Sequence, residues 1–235
     1  MRIQILLVGL LFLIGASFAL GHLTDEKLQN FQYNAELVTV APIVDGYLDD
    51  PVWEEAVPGK LNQEIVSGSQ WYESDDFTGS FKAVWRGGFL YVAIKIQDDH
   101  FSKYHSKPFR EDQLVLHIDE YHFQRKADVN SYAIPVGVDV GPWKAPLTSI
   151  AWGSDGQSCE ISFRLGDIAE KDNAIGFSIA YHDVDNGQMQ NKIAWGPAGY
   201  IEQEEMLPDL VFSASINPNE QQKLIRWGQI KRLYK

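Results

Sequence analysis

Two adjacent carboxylates, Asp98 and Asp99, invite comparison with the acid pair of a glycoside hydrolase. Such a pair must lie on either side of the scissile bond, with its carboxyl groups about 5–10 Å apart. Successive residues of a strand point to opposite faces, so Asp98 and Asp99 cannot flank one bond. The sequence therefore favours a strand end that caps a loop, with a bound cation as a further role. No catalytic carboxylate pair is recognised.

Other oxygen and nitrogen ligands lack the spacing of a known metal site. The turn at 183–187, Asp-Val-Asp-Asn-Gly, resembles a fragment of a calcium loop. A complete loop needs a further pair of ligands and a distal glutamate, and neither is present, so an ordinary β-turn is favoured. The spacing of the histidines does not demand a metal site either; those weighed are His100, His105, His117, His122 and His182.

No enzyme signature is found along the chain. It lacks the serine-nucleophile elbow, the zinc-protease helix, and the glycine loops that bind phosphates or dinucleotides. Cys159 is the single cysteine, so it cannot form an internal disulfide. We expect it to be a half-buried strand residue and not a catalytic thiol.

Aromatic rings offer a different chemistry. The chain has 7 Trp, 10 Tyr and 12 Phe. Flat apolar rings beside polar groups suit sugars, whose C–H faces are apolar and whose rims carry hydroxyls. The alternative is that each ring belongs to the core. The rings that fall in loops or at strand ends are Trp71, Tyr72, Phe109, Trp143, Trp152 and Trp195.

The strands that would position these groups are visible as alternating apolar residues. Residues 81–85 and 89–96 are joined by Arg86-Gly87-Gly88, which predicts a β-hairpin. Residues 113–119 and 174–183 alternate in the same way. Roughly ten short runs of this kind predict an all-β fold, an antiparallel β-sandwich of immunoglobulin-like or jelly-roll-like type.

One or two short helices complete the prediction. Asp49 or Asp50 caps a helix that begins at Pro51, and residues 165–170 turn once. The first helix should close one end of the sandwich. Its expected buried side chains are Val52, Trp53 and Ala56.

The chain divides into four segments. Residues 1–19 have a positive start, an apolar run and small residues at a cleavage position, as in a secretory signal peptide. The alternative is a retained membrane anchor, because about 18 uncharged residues approach the spanning length. Residues 20–35 are interpreted as a linker and 36–216 as the sandwich domain. Residues 217–235 are interpreted as a basic tail, which is either a terminal strand or a docking segment for a protein partner.

The charge restricts the possible partners. The formal net charge is −12, which opposes binding to nucleic acid or to anionic membrane surfaces and favours neutral ligands or cations. The signal peptide predicts a secreted or periplasmic protein with no integral membrane role after cleavage.

Five segments, taken in order, resemble the family 9 carbohydrate-binding modules and their relatives. They begin with Ile-Val-Asp-Gly-Tyr-Leu-Asp-Asp-Pro-Val-Trp at 43–53 and continue through 90–98, 107–119, 176–183 and 193–195. The resemblance extends over residues 36–213. It implies a β-sandwich that holds a sugar between two aromatic rings, with structural calcium as the usual cofactor and oligo- or polysaccharide as the partner.

The resemblance also assigns site residues. The two ring positions fall on Phe109 and Trp195, and a sugar-contacting acid falls on Asp183, with His182 beside it. Trp71 is a further candidate ligand-binding ring. The sequence departs from the family at two polar sugar-contacting positions, which are Val115 and Ala180, and an arginine expected near residues 130–134 is absent.

Two alternatives to a non-catalytic sugar-binding protein stay open. A related sandwich serves as a periplasmic haem-binding cytochrome subunit, and here Met189 or Met206 with a nearby Lys or His would supply axial ligands. Covalent haem is excluded because there is no Cys-x-x-Cys-His. The other alternative is an accessory protein of glycoside hydrolases in polysaccharide catabolism.

Overall fold

The computed structural model describes residues 31–66, 77–102, 111–122, 129–141, 143–196 and 207–214. These residues form twelve strands, one short α-helix (α1, Pro51–Glu55) and one 3-10 turn (Gly166–Ile168). The strands are β1 Gln32–Leu37, β2 Gly59–Leu61, β3 Gln63–Val66, β4 Phe77–Arg86, β5 Phe89–Asp98, β6 Gln113–Asp119, β7 Val129–Pro135, β8 Leu147–Trp152, β9 Ser158–Arg164, β10 Ala174–Asp185, β11 Gln188–Trp195 and β12 Asp209–Ser213.

The strands form two layers that are joined where β10 pairs with β12. We call β7–β6–β10–β11–β3 the front sheet and β12–β1–β4–β5–β9–β8 the back sheet, with β2 added to β4. The layers are continuous because the first residues of β10 pair with β12. All pairings are antiparallel except those of β1, which runs parallel to both β12 and β4. The predicted all-β sandwich with short helices is confirmed.

The core lies between the two sheets. Phe81 of β4 contacts Phe177 of β10 with ring centroids 5.7 Å apart, and Phe77 stacks on Tyr181 at 4.8 Å. The predicted inward residues of β5, β6 and β10 are all fully buried, which confirms the strand alternation read from the sequence; they are Leu90, Val92, Ile94, Ile96, Leu114, Leu116, Ile118, Ile175, Phe177, Ile179 and Tyr181.

The first strand begins earlier than the sequence suggested. Residues 32–35 fall in the predicted linker, yet they belong to β1 because Tyr33 and Ala35 point into the core. The Tyr33 hydroxyl donates to Val57 O at 2.7 Å and accepts from Ala83 N at 2.8 Å. Burial raises the pKa of Tyr33 to about 12, so the phenol stays a neutral donor.

Residues 43–56, which include α1, cover the outer face of the back sheet and do not close one end of the sandwich. Trp53 and Ala56 pack against Val84 and Ala93, whose side chains point away from the main core. Glu160 of β9 holds this segment, although only 1% of its surface is exposed. One carboxylate oxygen accepts from Asp45 N at 3.0 Å and Gly46 N at 2.9 Å, and the other accepts from Trp53 Nε1 at 2.7 Å.

Gly46 is required at the turn of this covering segment. Its φ is +87°, and an added Cβ would lie 2.4 Å from the Trp152 carbonyl carbon. Ser158 Oγ donates to Gly46 O at 2.7 Å. The turn therefore lies directly against β8 and β9, which only glycine permits.

Cys159 is more buried than predicted. It has no exposed surface and points into the core, because it continues the inward series of Ile161 and Phe163. Burial raises the pKa of its thiol, so the thiolate is suppressed.

Within the described ranges, no helix is long and apolar enough to cross a bilayer.

Replacing Glu160 with Gln should lower the free energy of unfolding by about 1–3 kcal/mol, because the new amide N–H would face an N–H donor in place of an acceptor. Urea denaturation would measure the change. The exposed Glu170→Gln provides the matched control. Equal stability of the two variants would contradict the anchoring role of Glu160.

Candidate functional site

The outer face of the front sheet collects polar and small side chains from three strands. Strand register aligns Gln113 of β6, His182 of β10 and Lys192 of β11 in one row. The next row is Val115, Ala180 and Ala194, and a third pairs His117 with Ser178. We call these eight residues the front face.

The middle row of the front face is apolar. Ala180 and Ala194 are buried and contact the half-buried Val115. Val115 and Ala180 are the two positions at which the sequence departs from the polar residues of its resembled family, and the structure places them side by side. The centre of the face therefore offers packing contacts mainly through Val115, and its hydrogen-bonding groups lie in the flanking rows.

His182 lies in one of these flanking rows as a neutral imidazole. Gln113 Nε2 donates to His182 Nδ1 at 3.1 Å, which leaves the ring proton on Nε2. Burial lowers the pKa of His182 to about 4, and the charges of Lys192 and His117 act in the same direction. His182 therefore offers an uncharged N–H donor at neutral pH.

The third row carries hydroxyl and imidazole groups. His117 Nδ1 lies 2.8 Å from Ser131 Oγ of the neighbouring strand. Ser178 is fully buried, and its hydroxyl has no hydrogen-bond partner among the residues that the structure describes. The half-buried His117 therefore adds a hydrogen-bonding group on the other side of the apolar centre, whereas the Ser178 hydroxyl is not exposed on the face.

Of the three aromatic rings predicted to bind a ligand, the structure describes Trp195. Phe109 and Trp71 lie outside the described residues. Trp195 is 7% exposed and points into the core behind Ala194, where its ring meets Phe81 edge-on at 5.2 Å and Tyr33 at 6.3 Å. The roles of these three rings in ligand binding stay predictions.

Asp183 belongs to a second constellation, on the core side of β10. One carboxylate oxygen from each of Asp98, Asp112 and Asp183 lies within 4.8 Å of the others. Asp112 is fully buried and Asp183 is 2% exposed. We call these three residues the acidic cluster. His182 and Asp183 thus point to opposite faces of one strand, as adjacent strand residues must.

Asp98 and Asp99 also come closer together than strand alternation suggested. Oxygens of Asp98, Asp99 and Asp185 form a second group within 4.8 Å. The reason is that β5 ends at Asp98 and the chain bends at Asp99, where Asp98 Oδ1 accepts from His100 N at 2.8 Å. The predicted loop cap at the strand end is present.

Asp112 is the residue of the acidic cluster that the sequence did not single out. It accepts from Val184 N at 2.7 Å and from Ser102 N at 2.5 Å. Burial nevertheless raises its pKa to about 8, and the charges of Asp98 and Asp183 add to the rise. The sequence pattern that could have indicated Asp112 is its position directly before the alternating apolar residues of β6.

Neighbouring groups orient the other two carboxylates. The Tyr181 hydroxyl donates to Asp98 Oδ2 at 2.6 Å, and Asn191 Nδ2 donates to Asp183 Oδ2 at 3.1 Å. Three carboxylates gathered at such short range repel one another unless a proton or a cation lies between them. Hard oxygen ligands of this kind suit calcium.

Met189, a candidate haem ligand, is 38% exposed on β11. It pairs in register with Val184 of β10. Met206, the other candidate, lies outside the described residues. Axial ligation by either methionine stays a prediction.

Comparison with known proteins identifies the family. The sequence profile described as "Carbohydrate family 9 binding domain-like" matches residues 44–201. That match spans more than half of the chain, and the chain belongs to this family. A comparison with curated proteins finds no match.

Solved structures share the fold. A family 9 carbohydrate-binding module from Caldicellulosiruptor kristjanssonii in complex with cellotriose has a TM-score of 0.64 at 14% identity, covering 79% of this chain and 95% of its own. A structure of such a module from the same organism in complex with glucose has a TM-score of 0.62 at 14% identity, covering 78% and 97%. At this identity the likeness concerns the fold alone.

In the metal-free protein, the contribution of Asp112 to the free energy of unfolding should fall as the pH rises from about 4 to about 8. The folded carboxyl, with a pKa of about 8 against an ordinary 3.8, retains a proton that the unfolded chain has already released. That advantage is lost as the pH rises through the folded pKa. Asp183→Asn should flatten the slope, because one repelling charge is removed.

Denaturant unfolding in the presence of a chelator, from about pH 5 to about pH 8, would measure this slope. The titration of His182 is common to both proteins and cancels in the comparison. Asp167→Asn, at an exposed position on the 3-10 turn, is the control. Identical slopes for the parent and Asp183→Asn would contradict a coupled acidic cluster.

Proposed function

We propose that the protein is a secreted or periplasmic carbohydrate-binding protein that binds its ligand on the front face without catalysing a reaction. The observation that carries the proposal is an apolar row, Val115–Ala180–Ala194, between two rows of hydrogen-bonding side chains. A pyranose has the complementary pattern, with an apolar C–H face and a rim of hydroxyls. Membership of the family and the sugar complexes of similar structures support the same assignment.

Each row has a separate role in this proposal. The apolar row receives the C–H surface of the sugar, mainly through Val115, which is the more exposed of the three side chains. His182 donates through Nε2, and Lys192 lies beside it in register. Phe109 and Trp71 are the rings proposed to contact the sugar, as the family resemblance and their sequence positions imply. Trp195, which the resemblance also assigns to the sugar, packs in the core behind Ala194 and would support the apolar row from behind.

The affinity should be modest. Every sugar hydroxyl exchanges a water for a protein group, so each hydrogen bond contributes only about 0.5–1.5 kcal/mol. Val115 and Ala180 supply no polar group where the family resemblance predicts one, and the centre of the face cannot compensate with hydrogen bonds. The signal peptide predicted from the sequence supports export, and the non-catalytic role rests on the lack of a recognised enzyme signature.

We propose in addition that the acidic cluster holds a structural cation of the calcium class. Asp98, Asp112 and Asp183 fit such an ion, because their oxygens converge and their mutual repulsion is relieved by a positive charge. The three residues come from the end of β5, the residue before β6 and the C-terminal end of β10. A bound cation would therefore join both sheets at one end of the sandwich.

Isothermal titration with cellotriose and glucose, in calcium-containing buffer, would test the front face. We expect both sugars to bind and His182→Ala to weaken binding by about tenfold, because one hydrogen bond and its packing are lost. Lys171→Ala, at an exposed site on the loop after the 3-10 turn, should bind like the parent. No heat with either sugar would contradict the proposal, and a Soret band in the purified protein would favour the haem alternative.

Adding calcium to the chelated protein should raise its Tm, because the ion binds the folded state alone. Asp183→Asn should abolish most of that increase while raising the Tm of the metal-free protein, since it removes both a ligand and a repelling charge. Asp167→Asn should retain the full increase. A calcium response that is unchanged in Asp183→Asn would place the ion elsewhere.

A further inference from the structure

The back sheet has an outer face of its own, and residues 43–56 cover only part of it. Beyond that cover, strand register aligns Arg86 of β4, Phe89 of β5 and Arg164 of β9 in one row. Their neighbours Trp85, Leu90 and Phe163 point into the core. The two arginines and the ring therefore point outward together.

Phe89 forms an aromatic platform with Tyr91, which lies two residues further along the same face. The two rings are nearly parallel, at an interplanar angle of 26° with centroids 6.1 Å apart. Both are half-buried, and Tyr91 packs against the cluster that contains Trp53. The platform is therefore held by the covering segment on the side of Tyr91, and Phe89 stays partly exposed.

Two arginines flank Phe89 of this platform in the strand register. Arg86 and Arg164 are exposed, and Arg86 Nη1 donates to Val38 O at 2.8 Å. Burial raises the pKa of Tyr91, and the charge of Arg86 opposes that rise, which places the guanidinium close to the phenol. Arg86 is thus oriented with most of its N–H groups still available.

The positive charge here is local and not a general property of the surface. The chain carries 20 Lys and Arg against 32 Asp and Glu. The carboxylate on this face of β9, Glu160, is buried and accepts from Asp45, Gly46 and Trp53. It is therefore committed to the covering segment and does not neutralise Arg164.

We propose that Phe89, Tyr91, Arg86 and Arg164 form a second saccharide site, selective for uronate units. The rings provide a flat apolar surface for the C–H face of the sugar. A guanidinium binds a carboxylate through two parallel N–H···O bonds, which a neutral hydroxymethyl group cannot match. The site lies on the opposite sheet from the front face and goes beyond the proposed function.

The test compares cellotriose with the trisaccharide in which each C6 hydroxymethyl group is oxidised to a carboxylate. Titration of the full chain in low salt should show binding of the oxidised trisaccharide that weakens as salt is added. Arg164→Gln should weaken this binding by about tenfold, because a charge-assisted pair is lost. Phe89→Leu, which retains apolar volume but not the ring face, should weaken it as well.

Controls separate this site from the front face. Lys171→Gln removes one positive charge elsewhere and should leave uronate binding unchanged, and thermal melts should confirm that each variant is folded. His182→Ala should impair cellotriose binding alone. Absence of uronate binding by the parent protein, equal binding by Arg164→Gln, or loss of uronate binding in His182→Ala would overturn the proposal.

Discussion

The back sheet depends on a single buried carboxylate. Glu160 has almost no contact with water, so its charge is tolerated only because three N–H donors converge on it. Those donors come from a segment more than one hundred residues away in sequence, since Gly46 and Glu160 are separated by 114 positions. The pairing fixes where Trp53 packs, and Trp53 in turn covers Val84 and Ala93. A polar interaction thereby determines how an apolar surface is buried.

The acidic cluster shows the opposite use of buried carboxylates. One carboxylate oxygen from each of Asp98, Asp112 and Asp183 lies within 4.8 Å of the others. Burial, with a further contribution from the neighbouring charges, raises the pKa of Asp112 in spite of its backbone N–H donors. Glu160 is therefore suited to a permanent structural role. The acidic cluster is suited to holding a proton or a cation, so its state depends on pH and on the cations in solution.

Alternation along the chain predicted much of the fold, because strand faces are a local property. The hairpin of β4 and β5, the inward faces of β6 and β10, and the overall sandwich all follow from it. Contacts between distant segments could not be predicted in this way. Part of the predicted linker forms β1, where the Tyr33 hydroxyl accepts a hydrogen bond from Ala83 N. Asp112 and Asp183 come together only when the sheets fold. For the site, alternation predicts that His182 and Asp183 point to opposite faces of β10, as the structure shows. The resemblance to a family instead assigned both residues to ligand binding.

The position of β1 affects the order in which the chain can fold. This first strand lies in parallel register between β12, the last described strand, and β4. Parallel neighbours that are distant in sequence close a long loop at a high entropic cost. The back sheet is therefore incomplete until residues 209–213 have emerged from the ribosome, and an edge of β1 stays unpaired until then. A nascent chain of this topology completes its native sheet only after β12 has been synthesised.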